Sequence, residues 1–313
     1  MPIKLTPVWP GYFADPAVLK VGSDYYAFGT DGPDRTTLGT TGKDVPCLFS
    51  RDLVEWSFLG GALQPPKGFE AAAFWAPEAF EVGGQYLLYY SAGGNQGEGH
   101  TIRVAKSVKP EGPYEDFDCV LFPDEPFTID AHPFRDPRTG KLYLFFCKDF
   151  FDEPAGTGIA VVELDSSGTA AISEIRPLLR AQADWQVFET NRVWYGQMWP
   201  KWHTVEGPFV VYYLDRYWLF YSGGNWQSLG YGLGCAVSDS VLGPYVDPYV
   251  ADGADVLRSI PGVLNGPGHN SIAFDREGKP HLVFHAWNDE RTLRQMYVLP
   301  LDWGQSRPRV VLQ

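Results

Sequence analysis

Three carboxylates in this chain stand at matching places. Asp15 lies 15 residues before Thr30, Asp130 lies 17 before Cys147, and Glu206 lies 16 before Ser222. Trp75, 16 before Ser91, and His269, 16 before His285, complete a set of five. If these positions are equivalent within a repeat, they converge in space although they are far apart in sequence. Three carboxylates around one funnel suit cleavage of a glycosidic bond. A protonated carboxyl gives its proton to the leaving oxygen, and an ionised one activates water on the opposite face. A third carboxylate near the acid raises its pKa by like-charge repulsion and keeps it protonated near neutrality. The 11 Trp and 17 Tyr residues supply flat rings on which a sugar can stack.

What must position these residues is a repeat. A turn followed by an aromatic-rich run recurs five times: SDYYAFGT (23–30), GQYLLYYS (84–91), GKLYLFFC (140–147), DRYWLFYS (215–222) and GKPHLVFH (278–285). Their last residues are spaced by 61, 56, 75 and 63, so five units use the whole length. Each run has strand length, aromatic or β-branched residues and flanking turn formers. A shorter strand-like run precedes each, and others follow several of them. This pattern predicts an all-β, five-bladed β-propeller, one domain spanning residues 1–313, with the first strand of each blade lining a central channel.

Composition agrees. Aromatics are 15% of the 313 residues, and 34 Gly and 26 Pro exceed the usual share of turn formers. The formal net charge of −13 excludes the basic face that nucleic acid or an anionic membrane would need. The opening MPIKLTPVWPGYF has no apolar core of signal-peptide length. The four cysteines (Cys47, Cys119, Cys147 and Cys235) have no metal-ligand spacing. Both features fit a cytoplasmic protein with reduced thiols, a secreted form with a trimmed leader being the alternative.

The set FADPAV, FWAPEAF, IDAHPF, VEGPFV and GPGHNS resembles glycoside hydrolase family 43, five-bladed propeller enzymes cleaving arabinan, arabinoxylan and xylan side chains. The likeness runs from about residue 9 to Trp303. It implies Asp15 as general base, Glu206 as general acid and Asp130 as the residue that orients the acid and tunes its pKa. It implies a channel histidine in His269, near calcium or another ion in some members, and a substrate-contacting arginine in Arg294. It also implies an inverting reaction. No cofactor is required on this reading, and an ion in the channel would be held by His269 largely through water. The expected partner is a plant-derived oligosaccharide or polysaccharide. The resemblance favours an exo-acting α-L-arabinofuranosidase. A β-D-xylosidase or endo-arabinanase of the same family is the alternative, and a non-catalytic sugar-binding propeller is the competing class.

Other polar residues have plainer readings. FRDP at 134–137 resembles a sugar-binding motif of the related levanase and invertase group. Asp136 is only 11 residues before Cys147, however, which makes it a turn residue. Trp75 is expected to wall the substrate pocket and Glu78 to be structural. Asn95 and Asn225, in the matching turns SAGGN and SGGN, are expected to shape loops. The remaining histidines show no metal spacing.

Overall fold

The computed structural model describes residues 5–32, 44–64, 66–69, 72–94, 99–303 and 307–312. Its strands sort into five successive antiparallel meanders, and no α-helix occurs among the described residues. The first strands are Ala14–Val21, Ala73–Val82, Thr128–Arg135, the second half of Gln197–Tyr213, and Asn265–Phe274. Each packs against the first strands of its neighbours, and the fifth packs against the first, so the ring closes. The chain start seals the join, with Val8 N–H on Met296 O at 2.9 Å and Phe13 N–H on Arg294 O at 2.8 Å. The all-β propeller expected from the sequence is the fold observed.

The five aromatic runs become the second strands: Asp24–Thr30, Gln85–Gly93, Leu142–Phe150, Arg216–Gly223 and Pro280–Trp287. Their sequences are continuously apolar because each lies between two neighbours and both faces are buried. Tyr143, Phe145 and Cys147 face the core shared with the fourth meander, while Leu142, Leu144 and Phe146 face the second. Five such cores alternate around the ring, one in each interface between successive meanders.

The long spacing of 75 between Cys147 and Ser222 has a structural cause. Val187–Trp194 pairs with the first half of Gln197–Tyr213 to form an extra hairpin just ahead of Glu206. Val193 and Met198 on it are exposed, while Trp199 and Trp202 are buried in a small separate core with Ala155.

Every first strand carries a bulge near its start, and the fifth carries a second just ahead of it. The extra residue is Asp15, Ala76, Asp130, Gly207 or His269, with φ of 53°, 41°, 58°, 58° and 46°. Four of these are not glycine, and the left-handed region costs such residues roughly 1–2 kcal/mol each. A hydrogen bond offsets that cost at each position. Ala76 N–H donates to Thr30 Oγ1 at 2.8 Å, and Asp130 N–H to Ser91 Oγ at 3.2 Å. His269 N–H donates to Ser222 Oγ at 2.7 Å, and Asp15 N–H to His285 Nδ1 at 3.1 Å. Each acceptor lies at or near the end of the second strand of the preceding meander, and the fifth serves the first. Only at the fourth position is the terminal residue a thiol, Cys147, and there Gly207 N–H donates to Asp130 Oδ2 at 3.0 Å.

The bulge refines the register read from spacing. Asp15, Asp130 and His269 share the bulged position. Trp75 and Glu206 sit one residue earlier, paired with Ser91 and Ser222. Counting residues cannot separate a bulge from a longer turn, which is why the five looked level.

Ser91→Ala should leave the buried Asp130 N–H without its acceptor and cost about 1–3 kcal/mol. The urea midpoint should fall with unchanged slope, and Ser91→Thr should restore most of it, since Thr30 fills the equivalent place. An unchanged midpoint in Ser91→Ala would show that the inter-meander bond contributes nothing to stability.

Candidate active site

The first strands open onto a cavity of about 760 Å³, whose wall includes Asp15, Trp75, Asp130, Glu206, His269 and Arg294. The structure thus brings together all six residues singled out by the sequence. Tyr12, Trp226, Tyr231 and Trp287 also line it. These four arrive on segments outside the repeat positions. Only Trp226, directly after the SGGN turn, had a nearby sequence signal.

Asp15 is fixed from several sides. Its Oδ1 meets Arg294 Nη1 at 3.2 Å and His269 Nδ1 at 3.5 Å, and its Oδ2 accepts the Thr30 hydroxyl. Burial works to raise its pKa, but the Arg294 guanidinium beside it outweighs burial and holds the carboxyl well below the usual range. Burial holds both histidines low, His285 at about 4, so they are neutral. A neutral His285 accepts the Asp15 N–H through Nδ1. Arg294 is oriented by the Tyr12 hydroxyl at 2.8 Å and lies 4.6 Å over the Trp226 ring.

Glu206 differs. Burial pushes its carboxyl up to about 7, against the hydroxyl of Tyr231, which donates to Oε1 at 2.7 Å. Asp15 repulsion adds to the rise and Arg294 opposes it. Asp130 is also driven well up, by burial and then by Glu206 and Asp15, against the Gly207 N–H on its Oδ2. Two buried carboxyls in mutual repulsion cannot both ionise near neutrality, so this pair retains a proton.

Aromatic rings complete the wall. Trp75 stacks on His100 with centroids 3.7 Å apart, and His100 is anchored to Gly94 O at 2.9 Å. Trp226 and Trp287 lie nearly parallel, 6.0 Å apart, tied by Trp287 Nε1–H on Trp226 O at 2.9 Å. Flat, fixed rings of this kind suit the apolar face of a sugar.

Asp136 does not line the cavity. It closes its turn through Thr139, the Arg138 N–H and the Tyr217 hydroxyl at 2.7 Å. Glu78 holds His132 at 2.8 Å, and His132 Nε2 accepts the Val210 N–H, linking three meanders. Asn225 ties its loop to Phe188 O and Gln227 N–H, while Asn95 lies outside the described residues. All four cysteines are free thiols.

Among the described residues no group of three or more His, Cys, Asp or Glu side chains could hold a metal. Deeper in the channel a space of about 10 Å³ is lined by Asp15, Glu78, Asp130 and His269 together with Pro16, Pro77, Pro208 and Asn270. That admits about one water, whereas calcium takes roughly 6–8 oxygen ligands. That space is too small for an ion together with its water shell.

Comparison with known proteins agrees with this geometry. The sequence model of Glycosyl hydrolases family 43 matches residues 5–306. A beta-D-galactofuranosidase of Aspergillus niger is 27% identical over 95% of this chain and 80% of its own length. An extracellular exo-alpha-(1->5)-L-arabinofuranosidase of Cellvibrio japonicus is 24% identical over 95% and 85%. Among solved structures, a thermostable family-43 glycoside hydrolase superposes with a TM-score of 0.80 at 26% identity, covering 98% of this chain and 95% of the other.

With no group of three or more metal-ligating side chains among the described residues, removal of divalent ions by chelator should change the hydrolysis rate by less than about tenfold, below the usual worth of one catalytic group. Complete loss restored by added calcium would show that an ion organises the site.

Proposed function

The chain belongs to glycosyl hydrolases family 43, and from that premise we propose that it is an inverting, exo-acting α-L-arabinofuranosidase on arabino-oligosaccharides or arabinan. The observation carrying this reading is the inequality of two carboxyls across one cavity. Arg294 holds Asp15 ionised, while burial holds Glu206 protonated. Pairs pushed apart in this way supply a base and an acid at the same pH.

In this reading Asp15 takes a proton from water, whose oxygen attacks the anomeric carbon. Glu206 gives its proton to the departing oxygen as the glycosidic bond breaks, and Asp130 keeps Glu206 protonated between turnovers. Solvent then returns both carboxyls to their starting states. Trp75, Trp226 and Trp287 bind the sugar, and Arg294 orients both Asp15 and substrate. A sugar-binding propeller would have no use for so unequal a pair, which counts against that class.

A furanose is favoured by the relatives' activities, arabinofuranosidase and galactofuranosidase. A β-D-galactofuranoside is therefore a second reading, since it shares the ring configuration of α-L-arabinofuranose and differs in the exocyclic arm. Hydrolysis of 4-nitrophenyl α-L-arabinofuranoside, β-D-galactofuranoside and β-D-xyloside separates these. The arabinofuranoside should be cleaved fastest, and a faster β-D-xyloside would overturn the sugar assignment.

Replacing Glu206 with Gln should cost roughly 10²–10⁴ in rate on oligosaccharides, the usual worth of general acid catalysis. It should cost much less on an aryl glycoside whose leaving group departs unprotonated. Asp15→Asn should cost the same on both, because every substrate needs activated water. Equal losses for good and poor leaving groups in Glu206→Gln would remove it from the acid role.

The pH profile follows from the same signs. Activity needs Glu206 protonated, so it falls as pH rises through about 7. Asp130→Asn removes a repelling charge and should move this alkaline limb to lower pH. An unmoved limb would remove Asp130 from the tuning role.

A further inference from the structure

Glu206 is held by only one of its two oxygens. Oε1 meets the Tyr231 hydroxyl at 2.7 Å, whereas Oε2 has no protein partner among the described residues and is not sealed off from the cavity that Glu206 lines. Tyr231 is itself 1% exposed. Its hydroxyl bonds only to Glu206 among the described residues, and the nearby Ser222 hydroxyl already accepts the His269 N–H. A phenol that accepted a proton from Glu206 would bury its own without a partner, at the cost of an unmade hydrogen bond. Tyr231 therefore donates.

The chain makes room for this ring at one point. A Cβ on Gly268, the second glycine of GPGHNS, would run into the Tyr231 ring. No positive φ requires glycine there, so what the position needs is space. The ring also lies within 13° of parallel to His285, with centroids 6.1 Å apart. Packing fixes the ring, and the ring fixes the hydroxyl.

A protonated carboxyl accepts best through its carbonyl oxygen and carries its proton on the other. Donation to Oε1 makes that oxygen the carbonyl and leaves the proton to Oε2, the oxygen open to the cavity. We propose that Tyr231 is a positioning residue that presents the transferable proton of Glu206 on Oε2, toward the departing oxygen. This inference rests on the assignment of Glu206 as the general acid. As the glycosidic bond breaks, its electron pair goes to the departing oxygen, which takes the proton from Oε2. The Oε2–H pair stays on Glu206, and the Tyr231 hydroxyl remains on Oε1 to meet the new charge.

The test is Tyr231→Phe, which keeps the ring and removes only the hydroxyl. It leaves unaltered the other charged or titratable groups facing Glu206, namely Asp15, Asp130, Cys147, His269 and Arg294, and His285 beside the ring. The quantity to measure is the ratio of kcat/KM for arabinobiose to that for 4-nitrophenyl α-L-arabinofuranoside, which does not depend on how much of a variant is folded. Tyr231→Phe should lower it roughly five- to tenfold, about the worth of one hydrogen bond. Its alkaline limb should move to higher pH, opposite to Asp130→Asn, because a donor that favours the ionised carboxyl has been lost. A ratio within about twofold of the parent, or a limb that stays or moves lower, would overturn the proposal. Glu206→Gln in the same assay separates the two questions. A lowered ratio there with an unchanged one in Tyr231→Phe overturns the proposal and leaves the acid assignment standing, whereas an unchanged ratio in Glu206→Gln overturns both.

Discussion

A strained backbone position, repeated once per meander and held by the meander before it, is the constraint on which the rest of the molecule depends. A bulge in the left-handed region turns the chain so that a side chain at the start of an innermost strand faces the axis. For Asp15, Asp130 and His269 that conformation is unfavourable in isolation. It persists because the N–H of each is received by a buried group one meander back. Closure of the ring and placement of polar groups in the cavity are therefore one event. The last acceptor, His285, holds the first bulge, so Asp15 is not set until the fifth meander has packed against the first.

Electrostatics then divides groups that the fold brings together. All three carboxyls are buried near one axis, and burial alone would raise each. Asp15 alone has a guanidinium beside it, with Arg294 itself braced by Tyr12 and the Trp226 ring. Glu206 and Asp130 hydrogen-bond only to neutral donors, and for each the opposing pull of Arg294 is outweighed by burial. The acid and the base thus differ by the placement of one arginine from the fifth meander, which also delivers His285. Side chains on opposite sides of the chain's closure point create the chemistry.

Much of this was legible in the sequence, and the reasons are local. The second strands announced themselves because burial on both faces demands unbroken apolar runs. Their last residues, Thr30, Ser91, Cys147, Ser222 and His285, could be recognised as a set, although nothing in the sequence says that they reach into the next meander. Spacing brought Asp15, Asp130 and Glu206 to the axis but hid the bulge, because one extra residue in a strand is indistinguishable from a longer turn. The hairpin before Glu206 has no counterpart among the five repeated runs, so their spacing did not reveal it. Tyr231, the partner of Glu206, follows a loop and was one tyrosine among many. His132, which joins Glu78 to the fourth meander, had no spacing to mark it.

The central claim is that water attacks with Asp15 as base while Glu206 protonates the leaving oxygen from the far side. That requires the carboxyls to be roughly 6.5–9.5 Å apart, with water between Asp15 and the sugar, and it reverses the anomeric configuration in one displacement. Proton NMR of the first sugar released from an α-L-arabinofuranoside, read before mutarotation, tests it most directly. The β-anomer should appear first and the α-anomer should grow in only afterwards. An α-anomer formed first would make Asp15 a nucleophile and contradict the division of roles between the two carboxyls.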